Sequence, residues 1–454
     1  MSTKTSAPSV QNYAGQPTDS RPPQPDGTGW LAVAIITAGL VIRLAVAPWG
    51  AHAGDLSVLT RWAAALDEHG WTSIYTASDA NYPPLALFLL AVSCKLDTLL
   101  MPGAPLTGPV WLTALKLPAM LADAGIAALA WRLADNRRIG VWITAALSLN
   151  PALIYLSAWW GQYESVYALL ALAAVVAAGR GRPFWAGVGL GAGVMVKLQA
   201  AVAGPVVVLA AIAGIAPQAA GRLSSEARRT ILALASGLAL PIGLTMAPFA
   251  AVGQSELVWL RMIALTASPG WLTVNALNIW YLVTGGAGNW AYNAPLLWPD
   301  STPLAAGLSA RTVGLAMLAI WSAAVLILGW RARREGWQVW LLAGTLLYLG
   351  VFLWPTQAHE RYALGAVVLL GGWLAHRRTE FGFPFLWHEA ALYAMITVCH
   401  TLNLLWAAPF TLALEGWFAG ARGIGLTIAV VTVLTAGWAL SKEIVGARDS
   451  HPRH

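Results

Sequence analysis

The chain has 454 residues, of which 58% are hydrophobic and only 10% charged, with a formal net charge of +7. A soluble protein carries about 25% charged residues to cover its surface, so this composition excludes a water-facing globular chain and predicts an integral membrane protein. Cys94 and Cys399 both stand in apolar runs, which excludes a disulfide framework or a thiolate zinc site, and the scattered basic residues read as a topology signal rather than a nucleic-acid surface.

Residues 1–29 are rich in Ser, Pro, Thr and Gln and too poor in apolar side chains to fold, so a disordered cytoplasmic tail is expected, with no cleavable signal ahead of the first span. A span needs about 20 apolar residues to cross about 30 Å of hydrocarbon. Such runs occur at Trp30 to Trp49, Trp111 to Leu133, Ile139 to Trp159, Gln162 to Ala178, Phe184 to Val196 and Leu198 to Ile215. They continue at Ile231 to Val252, Ala306 to Trp330, Trp337 to Trp354, Tyr362 to Ala375, Phe385 to Ala407 and Arg422 to Leu440. The expected fold is therefore all-α, a polytopic transmembrane domain of about twelve spans over 30–441, followed by a cytoplasmic tail over 442–454. The two runs meeting at Lys197 are short and predict a tight hairpin that stops below the outer surface.

Basic clusters at Arg137 and Arg138, Arg180 and Arg182, Arg228 and Arg229, Arg331, Arg333 and Arg334, and Arg377 and Arg378 fall between alternate spans, so those loops are expected in the cytoplasm. The run from Pro84 to Met101 decides the parity. Lys95 and Asp97 interrupt it, so it is expected to be interfacial or re-entrant rather than spanning.

Four polar clusters then fall on the outer side. In the loop from Gly50 to Pro109, Asp55 follows the first span and opens an amphipathic helix with Leu56, Leu59, Trp62, Ala63 and Leu66 on one face, as expected for a helix lying in the headgroup plane. A structural reading makes Asp55 an N-cap. Tyr82 follows, before Pro83 and Pro84. The second cluster is Trp159 to Glu164, where interfacial tryptophans explain part of the pattern but not Gln162, Tyr163 and Glu164. Lys197 and Gln199 form the third. The fourth is His359, Glu360 and Arg361, three consecutive polar residues in a short turn between apolar helices, where function outweighs solvation. If the clusters converge, Asp55 is placed to act as a general base, and His359, Arg361 and Lys197 supply positive charge for a phosphate. Trp271, Trp280 and Trp290 are candidates for stacking on sugar or lipid. No DxD, GxxxxGK or HExxH motif is present, so metal-held nucleotide sugars, nucleotide hydrolysis and zinc peptidase chemistry lack their parts.

In order and loop placement, Asp55, Tyr82 to Pro84, Asn150 to Pro151, Trp160 to Tyr163, Lys197 to Gln199, Asn275 to Trp280 and His359 to Tyr362 resemble the GT-C superfamily of polytopic glycosyltransferases. The flavour is that of bacterial mannosyltransferase-like proteins and, more distantly, the ER glucosyltransferases that extend lipid-linked oligosaccharides. The resemblance implies an inverting transfer of mannose or glucose from a polyprenyl-phosphate sugar to a lipid-linked or cell-envelope glycan, outside the cytoplasm of a bacterial-type plasma membrane. It implies Asp55 as the base, His359 and Arg361 on the donor phosphate with Lys197 beside them, and Tyr82, Gln162, Tyr163, Glu164, Gln199, Asn275 and Glu360 around the substrate. No cofactor or nucleic acid is implied. Metal dependence stays open, since Asp55 and Glu164 are a conceivable ion pair of ligands. Two other readings are a transporter or flippase of lipid-linked sugars, which would need midplane sites in two related halves that the sequence does not show, and a protein O-glycosyltransferase, which would keep the site and change the acceptor groove.

Overall fold

In the computed structural model, the described residues are 27–215, 224–267, 270–286, 298–304, 307–376, 387–409, 414, 417–418 and 420–449. All twelve apolar runs are helical where described. Among the described residues, seven helices are long and apolar enough to cross a membrane, and five shorter apolar ones have 10–17 residues. The expected twelve are thus present as apolar helices, while only seven have full spanning length.

The first crossing is α1 (Thr28–Val46). Two outer-loop helices follow, α2 (Ala53–His69) and α3 (Pro84–Leu100), before α4 (Gly108–Leu133) returns. Lys116 of α4 donates to the carbonyls of Ala47 and Gly50 at the end of α1. Deeper along both helices Arg43 pairs with Asp123 at 2.7 Å and donates to Ser148 O at 2.6 Å. The end of α1 therefore meets the first half of α4, and α2 and α3 lie between them in the chain. Its buried face, Leu87, Leu90 and Cys94, packs on Leu59, Trp62, Ala63 and Leu66 of α2. The apolar face of α2 is consequently sealed by protein and not by lipid, contrary to the interfacial expectation. It is α3 that turns Phe88, Val92 and Leu99 outward.

The chain then runs through α5 (Arg137–Ser148), which is extended by a capped turn at Pro151–Ile154 and a π turn at Tyr155–Trp160. Next come α6 (Glu164–Gly179), α7 (Pro183–Val196), a 3-10 turn (Leu198–Ala203) leading into α8 (Gly204–Ile212), and α9 (Ser225–Ala251). An outer helix α10 (Ser255–Ala267) precedes α11 (Ala310–Ala332), α12 (Val339–Leu353), α13 (Leu364–His376), α14 (Trp387–Ala407) and α15 (Arg422–Asp449). The last helix runs past the boundary expected at 441. The tail at 1–26, Trp290, and Arg377 and Arg378 lie outside the described residues. Arg137, Arg180, Arg182, Arg331 and Arg333 stand at the helix ends opposite to Trp160, Glu164, Val196 and Arg311, as the charge rule requires.

Small residues set the tightest packing. A Cβ on Gly187 would stand 2.2 Å from Leu234 O, and one on Gly237 would stand 2.0 Å from Phe184 O, so α7 and α9 approach at backbone contact. Replacing Gly187 by Val is expected to destabilise the fold by about 1–3 kcal/mol through overpacking. A lowered melting temperature in detergent, with the Gly243→Ala variant as a neutral control at an open position, checks this.

Candidate active site

The site forms where the chain leaves α1, α5, α7 and α12. After α1, His52 is the N-cap of α2 and accepts the Asp55 N–H at 3.3 Å through Nδ1. Asp55 is therefore not the cap. Its side chain sits in the first turn and is free to turn to the next segment. The π turn brings Trp160 round, and Gly161 in the left-handed region (φ 88) redirects the chain, so that Gln162 follows into the same space. Trp160 Nε1 and Gln162 Nε2 both donate to Asp55 Oδ2, at 2.7 and 2.6 Å. Oδ1 has no hydrogen-bond partner among the described residues, and the side chain is 30% exposed. Burial opposes ionisation of this carboxyl, but the Arg361 guanidinium and the Trp160 N–H outweigh it and hold Asp55 below the usual carboxylate range.

Gln162 carries the network onward, because its Oε1 accepts from Tyr82 Oη at 3.1 Å and from Lys197 Nζ at 3.3 Å. Lys197 is extended (φ −157, ψ 131) at the break after α7, as the short hairpin predicted, and it pairs with Glu164 Oε1. Arg361 Nε lies 3.1 Å from the same oxygen, and its Nη1 donates to Glu360 Oε1 at 2.8 Å. Its guanidinium lies 5.9 Å from the Trp160 ring centroid, and His52 stacks on Trp160 at 4.9 Å.

His359, Glu360 and Arg361 occupy the turn between α12 and α13, and the second outer loop fastens that turn. Gln357 N donates to Trp271 O and Val274 N to Ala358 O, while Thr356 Oγ1 and Gln357 Nε2 donate to the buried Asp300. Burial, reinforced by Arg361 and Lys197, lowers the His359 imidazole well below its ordinary value. The shift favours the neutral imidazole, which can still offer a hydrogen bond to the cavity. Burial also pushes the Glu360 carboxyl up against the pull of Arg361.

A cavity of about 520 Å³ opens beside this cluster. Tyr82, Lys197, Gln199, His359 and Arg361 line it, with Trp271 and Arg311 across from them. Glu164 and Glu360, each about 1% exposed, are not on its wall and stand behind the cations. Asp55 is likewise not a wall residue and connects through Gln162. Tyr163 is 2% exposed within the helical core, so the structure removes it from the substrate surface. Asn275 is bridged through its backbone to His359 at φ 65, one residue beyond the wall at Val274. Trp280 is a buried strut that donates to Trp354 O at 2.7 Å. Glu164 pairs with Lys197 and Arg361; among the described residues no group of three His, Cys, Asp or Glu side chains is placed to hold a metal.

Sequence reasoning missed His52, Trp160 as a ligand of Asp55, Arg311, Gln357 and Tyr362. Trp160 and Tyr362 both lay within the quoted motifs, but without an assigned role.

No family model and no curated protein matches the chain. Among solved structures, it is similar to the oligosaccharyltransferase of Archaeoglobus fulgidus in its apo form, with 13% identity, a TM-score of 0.41 and coverage of 92% of this chain and 56% of that one. The same organism's oligosaccharyltransferase AglB, in complex with an inhibitory peptide and a dolichol-phosphate, gives 12% identity, a TM-score of 0.36 and the same coverage. The chain thus matches little more than half the length of these proteins. At that level of similarity, function has to be argued from the site's own residues.

Proposed function

We propose that the protein is an inverting hexosyltransferase that moves mannose or glucose from a polyprenyl-phosphate donor to a lipid-linked or cell-envelope glycan, on the extracytoplasmic face of a bacterial-type plasma membrane. The observation that carries this reading is one carboxylate with an unengaged oxygen, Asp55 Oδ1, networked through Gln162 to a cavity walled by Lys197, Arg361 and neutral His359. In this mechanism the acceptor hydroxyl oxygen attacks the anomeric carbon, its proton passes to Asp55 Oδ1, and the bond from that carbon to the phosphate oxygen breaks. The leaving phosphate keeps the bonding electrons. It needs little protonation, so charge from Arg361 and Lys197 and an N–H from His359 suffice to stabilise it. Tyr82, Gln199 and Trp271 offer hydroxyl, amide and ring surfaces to the sugar. No cofactor is assigned.

The test is transfer of radiolabelled sugar from polyprenyl-phosphate mannose and from polyprenyl-phosphate glucose to membrane glycans by the purified chain. Label entering glycan from one donor and not the other names the sugar. Transfer from neither, with the protein folded, would overturn the enzyme reading and favour movement of lipid-linked sugars.

A further inference from the structure

Two of the three cations that line the cavity, Lys197 and Arg361, are not bare. Lys197 Nζ and Arg361 Nε converge on a single oxygen, Glu164 Oε1, and Arg361 Nη1 is taken by Glu360. With both carboxylates ionised, the four side chains sum to zero charge, so the wall that faces the cavity is cationic while its backing is anionic. Among the described residues only Glu164 touches both cations. It is 1% exposed, and its other oxygen, Oε2, has no hydrogen-bond partner. A buried carboxylate so sparsely solvated is sustained by its two counter-charges and by its place in the first turn of α6, where the helix dipole favours an anion.

A site meant only to seize phosphate would gain from leaving these cations unpaired. A site that must also discharge a phosphate product every turnover gains from an internal competitor. We propose that Glu164 is the built-in counter-ion of this anion site, a positioning residue that holds Lys197 and Arg361 together and limits their grip on phosphate so that the product leaves. The inference rests on the reading of Lys197 and Arg361 as the donor-phosphate cations, and it gives Glu164 a role that substrate contact cannot, since the side chain is absent from the cavity wall.

The consequence runs opposite to that of most active-site substitutions: removing the residue tightens binding. Glu164→Gln keeps the shape and leaves the two cations with one carboxylate between them, so a bound anion meets a net positive wall in a partly desolvated site. The dissociation constant is expected to fall about tenfold. The experiment is calorimetric titration of the full-length chain in detergent with farnesyl phosphate and, separately, inorganic phosphate, for the parent, Glu164→Gln and Arg361→Gln, with melting curves to establish folding. The expected result is tighter farnesyl phosphate binding by Glu164→Gln, weaker binding by Arg361→Gln, and a fall in both donor KM and kcat for Glu164→Gln as release slows. A purely structural Glu164 would lower kcat without lowering KM. Tightening confined to farnesyl phosphate names a lipid phosphate as the ligand; tightening on inorganic phosphate as well names phosphate charge in general, and either supports the counter-ion. Equal or weaker binding by a folded Glu164→Gln, with the parent binding normally, overturns the counter-ion and leaves the donor-phosphate reading standing. Absence of binding by both proteins overturns the two together. If Glu164→Gln does not fold, Glu164→Asp withdraws the carboxylate by one methylene, and a smaller tightening is expected on the same scale. Its absence overturns the proposal equally.

Discussion

Asp55→Asn lowers the rate of sugar transfer by about 10³-fold while leaving the protein folded, the loss expected when a positioned general base is removed. The amide keeps the outline of the carboxylate, and its one oxygen can still accept from Trp160 Nε1 and Gln162 Nε2, the two donors that hold Oδ2. What changes is the other position. Where Oδ1 now offers a lone pair to an incoming hydroxyl, the amide offers N–H, which cannot take a proton. The side chain is 30% exposed and caps nothing, since His52 fills that place, so fold and donor binding should survive. Single-turnover transfer from the labelled donor, with melting temperature measured alongside, separates the two effects. Transfer within a few-fold of the parent would reduce Asp55 to a bracket for Trp160 and Gln162 and remove the base from the mechanism.

The parts of this molecule that could be read from its sequence are those governed by local chemistry. Among the described residues the apolar runs correspond to twelve apolar helices, seven of them of spanning length, and Lys197 marked a break whose extended backbone the structure bears out. Consecutive His359, Glu360 and Arg361 pointed to a site because three polar side chains between apolar helices have no cheap structural reason to be there. What stayed hidden depends on contacts between distant segments. The ion pairs of Glu164, placed around the substrate from the resemblance, could not be read, because their partners lie 33 residues away at Lys197 and, farther on, at Arg361. Trp160 stood in a quoted motif, but its bond to Asp55 depends on the π turn that aims it there. Tyr163, read as a substrate contact from its neighbours, is carried into the core by the same turn. Arg43, Lys116 and Asp123 are charges within apolar runs that the sequence reading did not single out, and the structure uses them to fasten α1 to α4.

Replacing Arg361 by Gln is expected to lower kcat/KM by about 10²- to 10³-fold, the scale of a lost electrostatic stabiliser of the leaving group, and to move the acid limb of the pH profile upward. The two effects have separate origins. The first follows from its place on the cavity wall, where the leaving phosphate's charge develops. The second follows from Asp55. Burial pushes that carboxyl up, and Arg361 is the strongest of the influences that bring it below its ordinary value, ahead of the Trp160 hydrogen bond. The working form is the carboxylate, so activity is present above this pKa and lost as pH falls through it. Without Arg361 the pKa rises and the loss begins at a higher pH. The fold should tolerate the change, because Glu360, already pushed toward its neutral form by burial, can protonate, and Lys197 still meets Glu164. Arg361→Lys restores the charge without the planar fork that reaches both Glu164 and Glu360, so its acid limb should return toward the parent's while its rate recovers only in part. A rate loss with an unmoved acid limb in Arg361→Gln would confine Arg361 to the donor and detach it from the base. A variant as active as the parent would take the guanidinium out of the reaction altogether.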